Sequence, residues 1–143
     1  MIAAVHALMG ATLARLCHTS TQAALLGSAS HMLADMLPHR DLDIPEEAIL
    51  LAGALTAIGA TRGSGSREFA GAIGAALPDL ENLIGRVAGI RDEKLLLPTH
   101  RHLHGPKTRG FAPQIAIALA GLAVLFAGDC CREAAAGRGT SSR

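Results

Sequence analysis

Nineteen consecutive residues, Gly110 to Gly128, carry no charged side chain. That length approaches the ~20 residues an α-helix needs to cross the hydrocarbon layer of a bilayer. Two shorter runs accompany it. Ala48 to Thr61 is uncharged over fourteen residues, and Ile2 to Leu16 is apolar apart from His6 and Arg15. Each of these reads as a thin or tilted span, or as a buried helix of a soluble bundle. Half of the chain is hydrophobic and 17% is charged, below the roughly 25% of an average soluble protein. Ala and Gly supply 44 of the 143 residues, while Trp and Tyr are absent. Small aliphatic residues suit closely packed helices better than sheets, although the missing aromatics remove the usual interfacial belt. The expectation is an all-α, membrane-associated bundle of about five helices, with spans near 2–16, 48–61 and 111–128. Residues 1–128 form one helical domain and 129–143 a disordered tail.

Local signals set the helix ends. Thr19, Ser20 and Thr21 offer caps for a second helix, which Pro38 stops near Leu37. Pro45, Glu46 and Glu47 make a strong helix start, because proline tolerates the first turn and carboxylates suit its positive dipole end. A Gly/Ser-rich run, Thr61 to Arg67, separates this helix from a fourth, Glu68 to about Ala88, which Pro78 interrupts. A charged loop and a histidine-dense segment, Pro98 to Gly105, precede the last helix, in which a short helix or loop is expected. The N-terminus lacks the basic region of a signal peptide. Arg91, Lys94, Arg101, Lys107 and Arg109 outnumber the basic residues after the last helix, which places the histidine loop on the cytoplasmic side of an inner membrane.

Several function classes are excluded. A net charge of +1 without a basic, aromatic-interleaved stripe argues against nucleic-acid binding. Cys17, Cys130 and Cys131 form neither a disulfide framework nor a zinc knuckle, and Cys130 and Cys131 read as idle thiols. Neither a GxSxG elbow, a Walker loop nor a dinucleotide fingerprint occurs.

Three polar clusters interrupt the apolar helices. His31 and Asp35, four residues apart, project from one face of the second helix, and His39 and Asp41 follow its terminating proline. An imidazole and a carboxylate at that spacing can grip one metal ion or simply hydrogen-bond each other. Asp79 follows Pro78, where it serves either a broken helix or an ordinary helix start. His100, His102 and His104 crowd five residues; on a helix His100 and His104 share a face. His6 is a further candidate ligand. All offer borderline metal ligands rather than a nucleophile triad.

The strings SHMLADMLPHRD, GAALPDLEN and HRHLHG, in that order, resemble a family of small bacterial membrane-bound proteins described as metal-dependent hydrolases, itself distantly similar to zinc-dependent phospholipase C. The resemblance runs from about His6 to Gly105 plus the trailing apolar helix. It implies His31, Asp35, His39, Asp41, Asp79, His100 and His104 as site residues. Glu81 and Asn82 stand where the broader group often has a histidine.

Two readings follow. In the first, a divalent metal, with zinc favoured, is held by His31, Asp35, His39, Asp79, His100 and His104 and activates water against a phosphoester or similar bond. Asp41 or Glu81 would act as base, and Arg101 or Lys107 would hold an anionic group of a small-molecule or lipid substrate. In the second, a non-catalytic bundle uses a structural metal or polar contacts to staple helices. Membrane lipid is the expected partner. The Gly85 and Gly89 spacing admits close helix pairing, including that of a homo-oligomer.

Overall fold

The computed structural model describes residues 1–91, 105–108 and 110–139, the stretch 127–139 as backbone alone. Among the described residues there are five α-helices and no strand. They are α1 (Ala3–Leu13, extended by a 3-10 turn Ala14–Leu16), α2 (Ser20–Asp35), α3 (Ile44–Arg62), α4 (Arg67–Val87) and α5 (Ala112–Gly139). The all-α bundle expected from the sequence is therefore present. The backbone of α5 stays helical to Gly139, past the Gly128 boundary and into the stretch expected to be a disordered tail.

Helix starts follow the local chemistry where it is available. Thr19 caps α2 in a reciprocal box with Gln22, and the Ser66 hydroxyl accepts from the Phe69 N–H to cap α4. Ile2, at the start of α1, has no side chain able to cap. Its donors are met from a distance instead. Glu47, in the first turn of α3, accepts the Ala3 N–H at 2.9 Å, and Gln114, in the first turn of α5, accepts the Ile2 N–H at 2.8 Å. These bonds bring the starts of α1, α3 and α5 to the same end of the bundle, where α2 and α4 finish.

The interior is built from small residues. Gly10 and Gly27 both lie against Gly71, and a Cβ on Gly10 would stand 2.6 Å from the Ala75 Cβ. Gly74 faces the Ala24 backbone as tightly. Helices α1, α2 and α4 therefore meet almost backbone to backbone, the approach that small residues permit. The sequence pointed to Gly85 and Gly89 for such packing. Gly89 instead takes φ +66° just past α4, and Ile90 N–H closes back on Gly85 O, so it terminates the helix.

Pro78 does not break α4. It removes the N–H that the Gly74 carbonyl would accept, and the Ser28 hydroxyl of α2 donates to that oxygen at 2.8 Å. The neighbouring Ala75 carbonyl accepts from His31 Nδ1 at 2.9 Å. One face of α2, carrying Ser28, His31 and Asp35, thus reads the α4 backbone opened by a proline.

The exterior reverses the usual pattern. Leu25, Leu33, Ile49, Leu119 and Val87 are each more than three-fifths exposed, whereas the buried core is mostly alanine. Helix α3 alone among the described residues is long and apolar enough to cross a membrane, and only 11% of its most apolar stretch is buried.

Candidate metal centre

Asp35 ends α2 almost fully buried, and both its oxygens are engaged. Oδ1 lies 2.9 Å from His6 Nε2 and 3.0 Å from the Met1 amino nitrogen; Oδ2 lies 3.3 Å from His31 Nε2. Burial alone would raise this carboxyl, but the hydrogen bonds of His31 and His6 outweigh it and hold it well below the usual carboxylate range. Asp35 is thus an ionised, acceptor-only group.

That fixes the histidines. A carboxylate can only accept, so His6 carries its hydrogen on Nε2 and presents a bare lone pair at Nδ1. His6 is wholly buried, and Nδ1 has no hydrogen-bond partner. A carbonyl also only accepts, so His31 donates to Ala75 O through Nδ1, while its Nε2 lies 3.3 Å from Asp35 Oδ2. The two rings stack at 4.0 Å between centroids, tilted by 33°. Asp79, one turn beyond Ala75 on α4, brings a carboxylate oxygen to 3.8 Å from His31 Nδ1. One ligand atom from each of His6, His31 and Asp79 falls within 4.8 Å of the other two, enough for a group that could hold a metal ion. An imidazole locked by a carboxylate on one nitrogen, with the other aimed into a shared site, is how histidine ligands are commonly oriented.

A second group adjoins the first. His39 is also wholly buried; its Nδ1 donates to Leu37 O at 2.8 Å, and Nε2 lies 3.3 Å from Asp41 Oδ1. The same Asp41 oxygen lies 3.3 Å from the Met1 amino nitrogen, which therefore touches both carboxylates. Lys107, exposed, approaches Asp41 Oδ2 at 3.5 Å. The segment from Gly105 to Thr108 is pinned beside this group: Gly105 N–H donates to Asp35 O, and His39 exchanges backbone bonds with Pro106 and Thr108.

The residues singled out from sequence thus divide. His31, Asp35 and Asp79 meet in one cluster; His39, Asp41 and Lys107 form its neighbour. His6 moves from a further candidate to the centre. Asp79 sits inside a continuous helix rather than at a helix start. Glu81, two residues on, is rotated about 200° round α4 from Asp79 and belongs to another face. His100, Arg101, His102 and His104 lie outside the described residues. The supporting Glu47 and Gln114 were not singled out for the site. Gln114 had a signal, being the sole polar side chain between Gly110 and Gly128.

No family model, curated protein or solved structure matches the chain.

Proposed function

We propose that the chain is a membrane-bound, metal-dependent hydrolase of phosphoester or similar bonds, with His6, His31 and Asp79 as metal ligands. The observation that carries this reading is the buried, partnerless Nδ1 of His6, aimed by Asp35 into a site shared with His31 and Asp79. Leaving such a nitrogen dry and unbonded costs about 1–3 kcal/mol, a cost that coordination removes. Two imidazoles and a carboxylate suit zinc, and three protein ligands are typical of catalytic rather than closed structural sites. A divalent ion held by His6, His31 and Asp79 would supply Lewis acidity and activate water for hydrolysis.

The chain's own groups then take distinct roles. Asp35 positions both histidines. Asp41, held between His39 and Lys107, stands beside the cluster as the base, and Lys107 holds an anionic substrate group. The apolar exterior and α3 support a membrane location, with α1, α3 and α5 as spans and the metal cluster near the surface where they begin. Resemblance to the hydrolase family supports the same reaction class.

A chromogenic phosphodiester assay in detergent tests this. Turnover is expected, abolished by a chelator, restored by zinc, and absent in His31→Ala. Retention of metal without turnover of any phosphoester would instead favour the structural-metal bundle.

A further inference from the structure

A helix start needs partners for its first N–H groups, and a Ser, Thr, Asp or Asn beside it supplies them locally. Helix α1 begins without one. Two side chains from other helices hold its donors instead, and each has a second grip. Gln114 accepts the Ile2 N–H through Oε1 at 2.8 Å and donates through Nε2 to the Arg40 carbonyl at 2.8 Å. Glu47 accepts the Ala3 N–H through Oε2 at 2.9 Å and the Leu42 N–H through Oε1 at 3.2 Å. Consecutive residues of α1 are thus tied to the two residues that flank Asp41. The Arg40 guanidinium, 4.7 Å from the centroid of the Phe111 ring, fastens the start of α5 to the same segment. A local cap would have satisfied α1 without joining it to anything.

The connection reaches the metal centre on both sides. Ile2, whose N–H Gln114 holds, gives its own carbonyl to the His6 N–H at 3.3 Å, and His6 Nε2 lies 2.9 Å from Asp35. A slip of α1 by one residue, about 1.5 Å along its axis, would break that contact. On the other side the backbone of Asp41 is held before and after it, and its Oδ1 lies 3.3 Å from His39 Nε2. Gln114 is wholly buried and is the sole polar side chain between Gly110 and Gly128, so these two bonds are what offsets the desolvation of its amide. We propose that Gln114 and Glu47 are positioning residues of the centre, which together hold His6 of α1 and Asp41 of the segment after α2 in a fixed relation. This role rests on the metal reading above, and neither side chain is itself a ligand.

The test compares the full chain in mild detergent with Gln114→Met, Glu47→Gln and, as a control for lost stability, Ser66→Ala, which removes a helix cap at the opposite end of the bundle. Methionine fills the space of glutamine without its amide, and an amide in place of the Glu47 carboxylate turns an N–H toward a backbone donor. Zinc affinity, read by competition with a calibrated chelator, is expected to fall about 10–100-fold in both site variants. In Ser66→Ala the Tm falls and the affinity stays at the wild-type value. Wild-type affinity in both site variants, or an equal loss in Ser66→Ala, overturns the role, because the two side chains would then only hold the fold. Nitrogen NMR of the metal-free protein gives a second readout that needs no ion. His6 is expected as a single Nε2–H tautomer in wild type and as a mixture in Gln114→Met; the same spectrum in both contradicts the proposal. Should Gln114→Met not fold, Glu47→Gln, which keeps the shape of the side chain, decides by the same two measurements. A wild type that binds no zinc overturns the metal reading alone, and the nitrogen spectra still decide whether Gln114 and Glu47 hold His6 in place.

Discussion

His6 owes its chemistry to a residue 29 positions away. Asp35 accepts from Nε2 and so decides which nitrogen is bare. Replacing Asp35 with Asn keeps the shape but lets the amide donate as well as accept, and the His6 tautomer is no longer fixed. Metal affinity is expected to fall about 10–100-fold, read by competition with a calibrated chelator. The same variant changes the acid response. The folded-state pKa of Asp35 lies below its unfolded value near ~3.9, so its contribution is complete above about pH 4 and is lost as pH falls through the folded value. Wild type should lose more stability than Asp35→Asn below pH 4 and no more than it between pH 7 and pH 5. Acid unfolding followed by circular dichroism checks both. The pair His31 and Asp35 was legible in the sequence because helical spacing alone puts them on one face. His6 was legible only as a further candidate ligand, because the partner that orients it comes from another helix.

At the scale of elements, backbone proximity does the organising. A Cβ on Gly27 would fall 2.9 Å from the Ala75 nitrogen, where only backbone could yield. Gly27→Ala is therefore expected to destabilise by roughly 1–3 kcal/mol. Gly53, in the interior of α3, has nothing within 4 Å, and Gly53→Ala should be neutral or stabilising by up to about 1 kcal/mol. Thermal melting of the two variants in the same detergent makes the comparison. The helices themselves were legible from apolar runs, caps and prolines. The continuity of α4 through Pro78 was not, since Ser28, which satisfies the opened Gly74 carbonyl, belongs to α2. Nor were the long-range caps from Glu47 and Gln114, which depend on which helix starts meet.

At the scale of the molecule, the described residues place alanines, three histidines and Asp35 inside and many large aliphatic side chains outside. In water, aliphatic surface of that kind would be costly at roughly 25 cal/mol per Å²; against acyl chains it costs nothing, and small-residue packing with polar contacts holds the helices together. Leu119→Lys, at a site 61% exposed in the middle of the apolar part of α5, separates the two solvents. In a bilayer it should cost about 2.5–3.5 kcal/mol of insertion, whereas at a water-facing surface it would stay within about 0.5 kcal/mol. Membrane-inserted yield of the variant measures the difference. The most direct test of the central claim is metal content by mass spectrometry of protein purified without chelator, for wild type and His6→Ala. One equivalent of divalent metal in wild type, lost in His6→Ala, is the expected result. A wild type without bound metal, or a His6→Ala variant that keeps the full equivalent, would contradict a centre built on His6, His31 and Asp79.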